Sequence, residues 1–382
     1  MMTESRLDYR NKMILAPMVK VGTLPMRLLA LQYGADIVYS EEIIDKRILA
    51  SERTENSVLG TIDYIDRRDN SLVFRTCQRE KNQLVIQVGT SDPARAAAVG
   101  RKVERDVSGL DVNMGCPKSF SLKGGMGAAL LSQPEKVREI LTSLVGSLNI
   151  PVTAKIRLLP DLQDTLHLVD VIQSTGVAAL AVHGRTKDQR QGHVNDVETI
   201  KKIAQHAKIP IIANGGSSNN RNSETNTFEG ISEFWKQSGA SSVMIARAAE
   251  WNPSVFRPGP KDDIMVMIEK YLELAIEFDY PFNIAKYCVQ QLLGSLQDSE
   301  LGRNFLNSAT MEDLCSVFGA ADKYRARQRE LAVEARSDQK FVEKMDRAGR
   351  QECRKRKIDD LEVTEMFCPF VRGHYGDNES CR

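Results

Sequence analysis

Eight short apolar runs, spread over the first two thirds of the chain, do most to constrain what it can fold into. They occupy residues 13–17, 37–41, 84–89, 109–116, 152–157, 179–185, 209–216 and 242–248. Most are rich in Val and Ile, and most end in Gly or a polar residue. Runs that are apolar throughout, not at every second position, suit strands buried on both faces, as in a parallel sheet covered by helices. Stretches of helical periodicity separate them, at 134–143, 165–174 and 197–207 among others. Eight such units over about 240 residues fit a closed (β/α)8 barrel, the TIM barrel, better than an open doubly wound sheet.

Such a barrel takes about 250 residues, and the chain has 382. A smaller part should therefore follow it. Residues 1–255 are expected to form the barrel. Residues 256–335, with helical periodicity at 264–277 and 283–295 and no strand signal, are expected to form a helical domain. Residues 336–382 read as a charged, partly disordered tail. Two insertions stand out within the barrel. Residues 61–77 contain Arg68-Asp69-Asn70, a turn signal, and predict a hairpin. Residues 217–229 are dominated by Ser, Asn, Thr and charge and predict a surface loop.

The net charge of +1 selects no partner, so any nucleic-acid binding must rest on a local patch. No apolar run approaches the roughly 20 residues that span a bilayer, and the polar N-terminus resembles no signal peptide. Seven cysteines occur, an odd number, with no Cys-x-x-Cys pair. They predict a reduced cytoplasmic or nuclear protein without a zinc site. The cluster RKRK at 354–357 suits either a nuclear signal or a solubilising patch.

In a parallel barrel, chemistry gathers at the C-terminal ends of the strands. The residues there are Pro17 and Met18, Glu41 and Glu42, Gln87, Asn113 and Cys116, Lys155 and Arg157, His183 and Arg185, Asn214, Gly215 and Gly216, then Ala246 and Arg247. Two glycines after a buried strand let backbone N–H groups approach a ligand closely. Loops after the seventh and eighth strands commonly bind phosphate, and Arg247 could add a charge-assisted contact. Alternatively Asn214-Gly215 is a plain turn. Lys155 lies in the apolar segment VTAKIR and needs an anion or an acceptor. With His183 it could hold a flavin ring at its electron-rich edge, where positive charge favours the reduced form. Otherwise Lys155 pairs with Asp111, and His183 is a satisfied core histidine. The Gln87 amide matches the donor–acceptor alternation of a flavin edge, or else bonds backbone.

Cys116 carries the most specific signal. It lies between the fourth strand and a glycine-rich loop, in DVNMGCPKSFSLKGGMGAALL. A thiol with an ordinary pKa near 8.5 is mostly protonated at neutral pH and can act as a general acid. As a nucleophile it lacks a nearby His or Asp in sequence. As a bland alternative it is a small buried apolar residue. Asn113, earlier on the same strand, offers an amide to orient a substrate.

The segments APM, QVG, NMGCP, GGMGAAL, KIR, HGRT and NGG occur here in the order found in tRNA dihydrouridine synthases, which the chain resembles over roughly residues 10–330. The stretch NKMILAPMVKVGTLPMRLLALQYGADIVYSEEIIDKRI is similar to the eukaryotic dihydrouridine synthase 2 branch. The resemblance implies FMN at the barrel mouth. Pro17, Met18 and Val19 would lie along it. Glu42, Gln87, Lys155 and His183 would hold the ring and ribityl chain. Asn214, Gly215, Gly216, Ala246 and Arg247 would take the phosphate. NADPH or NADH would be the reductant. A tRNA D-loop uridine, U20 in this branch, would be flipped into the pocket. Hydride would reach uracil C6, and Cys116 would protonate C5. Asn113 and Arg185 would hold the uracil edge. The chain is expected to act as a monomer, with no metal and no membrane.

Two departures are visible. Some members of the branch carry an appended double-stranded-RNA-binding domain, whose pattern the tail lacks. The grip on tRNA would then fall to the barrel rim and the helical domain, where Lys323, Arg325, Arg327 and Arg329 form a basic run. That run reads equally as a solvated helix face. Ala246-Arg247 stands where many relatives have Gly-Arg, a small change if the Ala246 φ is negative. Two rival functions are a flavin reductase for a free pyrimidine or other small molecule, and a non-catalytic RNA-binding protein. The full set of mouth residues argues against the second.

Overall fold

The computed structural model describes residues 7–190 and 192–337. The chain divides into a unit of Met1–Val333 and a second of Glu334–Arg382. Almost all of the second, including the expected tail and the cluster at 354–357, lies outside the described residues.

The strands are β1 (Met13–Leu15), β2 (Ile37–Ile44), β3 (Ser51–Asn56), β4 (Thr61–Asp66), β5 (Leu72–Cys77), β6 (Leu84–Gly89), β7 (Gly109–Met114), β8 (Val152–Leu158), β9 (Ala179–Thr186), β10 (Ile211–Asn214) and β11 (Ser242–Ile245). Eight of them close into a barrel in the order β1-β11-β10-β9-β8-β7-β6-β2, each beginning within one of the apolar runs. Ile14, Ala16, Ile37, Tyr39, Val85, Ala179, Ala181, Ile212 and Met244 fill the interior as a cluster of their own. Their sequence neighbours pack outward under the helices. Both parities of each strand are thus buried, which is why the runs are apolar throughout.

Helices return the chain between strands, and short polar residues start them. Asp92, Asp161 and Asp196 cap Pro93–Val103, Leu162–Ser174 and Val197–His206 by accepting from backbone N–H groups of the first turn. The expected hairpin is β4–β5, with Asn70 at φ 57° in its turn. It is one strand larger than predicted, because β3 pairs antiparallel with β4. The β3 sequence, SERTEN, has no apolar pattern. It is fixed by polar contacts, such as Arg53 donating to both carboxylate oxygens of Asp106 at 2.7 and 2.8 Å. In the expected loop at 217–229 the buried Asn226 amide donates to the carbonyls of Ser218 and Asn220. A helix, Phe228–Ser238, already begins before the loop's expected end.

Beyond β11 every described element is helical. This part docks on the barrel through named polar contacts. Arg75 Nη1 donates to the Phe278 carbonyl at 2.6 Å, and Tyr33 to Asp262 Oδ2 at 2.6 Å. The Cys288 thiol donates to the Lys20 carbonyl at 3.3 Å.

Candidate active site

The parallel register brings polar residues side by side near the C-terminal ends of the strands. Glu42 lies beside Gln87, Gln87 beside Asp111, and Asp111 beside Thr153. One step nearer the mouth, Asn113 lies beside Lys155, Arg157 beside His183, and His183 beside Asn214.

Asp111 organises the floor. It is fully buried, accepting from Gln87 Nε2 at 2.8 Å and Thr153 Oγ1 at 2.6 Å. Burial pushes its pKa up to about 6. No hydrogen bond joins it to Lys155, so the expected alternative of a direct pair does not hold; Lys155 feels Asp111 through space. Burial, followed by the Arg157 charge, pushes Lys155 down to about 8. The Gln87 amide is committed to a carboxylate and not to backbone.

Cys116 sits on a turn made by Asn113, whose Oδ1 accepts from the N–H groups of Gly115 and Cys116 at 2.9 and 3.1 Å. The Asn113 oxygen is therefore occupied in shaping the loop. The Glu42 carboxyl faces Asn113 and Cys116, and its Oε1 is buried without a hydrogen-bond partner. Burial pushes Glu42 up to about 7. Burial, and then the Glu42 charge, raises the Cys116 thiol above its ordinary value. Both effects keep the thiol protonated at neutral pH.

His183 is held neutral, because burial and the charges of Lys155, Arg157, Arg185 and Arg247 push its pKa well below the usual range. Arg185 Nη1 donates to His183 Nε2 at 2.9 Å, which places the ring proton on Nδ1. The positive charge expected of the Lys155–His183 pair therefore rests on Lys155, with the arginines beside it. Arg185 is buried, with Nε donating to the His193 carbonyl at 2.8 Å, so it stands behind His183 with two of its donors taken.

Arg157, Arg185 and Arg247 all have lowered pKa values, burial being the main cause. Among the described residues Arg247 faces one carboxylate, Glu250, while the charges acting on Arg185 are the cations Arg247 and Arg157. The mouth is rich in donors and short of anions.

The glycines after β10 are sterically required. Gly215 has φ +108°, and a Cβ there would lie 2.7 Å from His183 Cδ2 and against the Asn195 amide. A Cβ on Gly216 would meet the Phe234 ring at 2.5 Å. Asn214 Nδ2 donates to the Met244 carbonyl at 2.9 Å, tying β10 to β11. Ala246 has φ −106°, as the expected tolerance of alanine requires. After β1, the Met18 carbonyl accepts from the N–H groups of Val21 and Gly22, and Val19 is exposed.

Of two further polar groups here, Glu41 was named from sequence only as a strand end, and Asn195 was not singled out at all. Glu41 Oε2 accepts from the Lys20 N–H at 2.9 Å and holds the Pro17-Met18-Val19 loop. Both polar atoms of the Asn195 amide are buried beside Gly184 and Gly215 without a hydrogen-bond partner. Asn195 follows the HGRT strand in a polar loop, where nothing local marks it.

Comparison with known proteins gives a consistent picture. The sequence matches the family described as dihydrouridine synthase (Dus) over residues 14–350. It is 37% identical over 323 residues to the tRNA-dihydrouridine(20) synthase [NAD(P)+] of Schizosaccharomyces pombe, covering 82% of this chain and 66% of that one. It is 38% identical to the enzyme of the same name from Saccharomyces cerevisiae, covering 75% and 78%. To the tRNA-dihydrouridine(20a/20b) synthase [NAD(P)+] of Schizosaccharomyces pombe it is 28% identical, covering 74% and 79%. The chain thus spans just under two thirds of the first of these relatives.

Proposed function

Because the chain belongs to the dihydrouridine synthase family, we propose that it reduces the C5=C6 bond of a tRNA D-loop uridine to 5,6-dihydrouridine. A flavin and a reduced nicotinamide supply the electrons. We take the flavin to be FMN, and the uridine to be the position 20 for which the two yeast relatives are named.

The observation that carries this reading is the Cys116 thiol, set on the Asn113 turn and facing the Glu42 carboxyl at the rim of a donor-rich barrel mouth. The residues fit the cofactor. Lys155, Arg157, Arg185 and Arg247 crowd together with few anions, and the Asn195 amide lacks partners. A phosphate and the carbonyl edge of an isoalloxazine are rich in acceptors, and a site of this kind is complementary to both. A flavin held by these residues would supply the hydride for uracil C6.

The protein's own groups do the rest. Lys155, with a pKa of about 8, is mostly charged at neutral pH and neutralises negative charge on the ring or substrate. His183 presents Nδ1–H and is held in that tautomer by Arg185. The Cys116 S–H bond breaks as the C5–H bond forms, leaving a thiolate. Glu42, with a pKa of about 7, is placed to return a proton to that sulfur.

Replacing Cys116 by Ala should leave flavin content and nicotinamide oxidation intact. Uridine reduction should fall about 10²-fold or more, as loss of a general acid does. Unchanged turnover on tRNA in that variant would remove Cys116 from the mechanism.

A further inference from the structure

The loop that follows Cys116 is inside out. Its ends are tied together, since Ala128 N–H donates to the Cys116 carbonyl at 2.9 Å and Met126 N–H to the Ser121 carbonyl at 2.9 Å. Between these ties lies one short helix, Ser119–Lys123. The residue that the loop encloses is polar, Ser121, at 0% exposed. The residues it turns to solvent are Phe120, at 50% exposed, and Leu122, at 39%. Lys118 and Lys123 are exposed on the same turn, and neither lies within salt-bridge distance of a carboxylate among the described residues. Folding alone would favour the opposite arrangement, because a half-exposed Phe forfeits much of the burial energy available to it.

The place of this loop limits its partner. Phe120 is four residues from the sulfur that must reach the substrate, on a loop tied back to the Cys116 carbonyl. The loop's own exposed charges, Lys118 and Lys123, are cationic, which selects an anionic partner, and the Glu42 carboxyl feels Lys118 only through space. An aromatic face among unpaired lysines is the pairing that single-stranded nucleic acid uses, with bases stacked on rings and phosphates held by cations. A polynucleotide that extrudes one base also leaves a neighbouring base with an open face.

We propose that Phe120 is a stacking platform for a tRNA base next to the extruded uridine, with Lys118 and Lys123 holding the flanking phosphates. This rests on the reading of the protein as a tRNA uridine reductase. Stacking differs from simple apolar contact, since it needs a flat π-face and not merely carbon surface. It also differs from a structural role, because the Phe120 side chain is half in solvent.

The test uses flavin-loaded protein, with tRNA binding followed by filter retention and dihydrouridine by mass. Phe120→Ala should weaken tRNA binding about tenfold, within the range for losing one stacked base. Phe120→Trp should bind within about twofold of the parent, and Phe120→Leu should behave like Phe120→Ala. Flavin absorbance and melting temperature should match the parent in all three. Equal tRNA binding by Phe120→Ala overturns the platform, and so does full binding by Phe120→Leu. A change in oligomeric state on Phe120→Ala assigns the patch to self-contact and also overturns it. The parent protein separates the two levels of inference. If it forms no dihydrouridine, the reductase reading fails; if it does and Phe120→Ala matches it in binding, only the platform fails.

Discussion

Lys155 and Asp111 show how a buried charge is used without being paired. Asp111 spends both oxygens on Gln87 and Thr153, so Lys155 keeps its charge available at the mouth. This has a signature in the flavin-free protein. The folded-state pKa of Lys155 is about 8 against an ordinary 10.5, so between those values the unfolded chain holds more protons. The Lys155 contribution to stability should therefore rise with pH across that window, against the buried Cys288 and Cys315 thiols, whose raised values act with the opposite sign. Asp111 and Glu42 act with the opposite sign. Raised to about 6 and about 7, they hold extra protons when folded, and their contribution falls as pH climbs from about 4 to 7. In urea midpoints measured against pH, the parent should gain on Lys155→Met across the alkaline window, while the difference between the two should not change over the acid one. An unchanged alkaline limb in that variant would refute the assignment. The residue types at the strand ends were legible in the sequence, because a lysine or amide inside an apolar strand is conspicuous. Their partners were not. The Arg185–His183 contact and the orphan amide of Asn195 exist only once β9 and the loop after it are folded.

At the scale of elements, the barrel strands could be read because burial on both faces leaves an apolar run. Strand β3 could not, since its order comes from Arg53 reaching Asp106 across the sequence. The loop after β7 is the element on which activity turns. Gly127 closes it at φ +56°, and a Cβ there would lie 2.6 Å from the Cys116 carbonyl and press on the Ser121 hydroxyl. Gly127→Ala should displace the Cys116 turn, at about 1–3 kcal/mol of strain if the turn resists. Dihydrouridine formation should fall at least tenfold while flavin stays bound. Full activity in Gly127→Ala would mean that the loop need not hold this conformation.

At the scale of the molecule, a net charge near zero leaves RNA binding to local patches. The basic run at 323–329 looked like one in the sequence. Folded, Lys323 donates to Glu273 at 2.5 Å, Arg325 to Glu312 at 2.6 Å and Asp322 at 3.2 Å, and Arg327 to Glu330 at 3.1 Å. Glu273 and Glu312 reach those charges from other helices, which no local reading of the run could foresee, while Asp322 and Glu330 are neighbours one turn away on the same helix. Replacing Arg325 and Arg327 by Ala should leave the salt dependence of tRNA binding nearly unchanged. Replacing Lys118 and Lys123 should flatten its logarithmic slope by about one to two. The reverse result would move the RNA interface onto the helical part of the chain.

The most direct test of the central claim is to incubate the flavin-loaded protein with NADPH and unmodified tRNA, digest the RNA and weigh the nucleosides. The account predicts that one D-loop uridine gains two hydrogens. Nicotinamide consumption without any such gain, on tRNA that is correctly folded, would contradict it and leave a flavin reductase acting on another substrate.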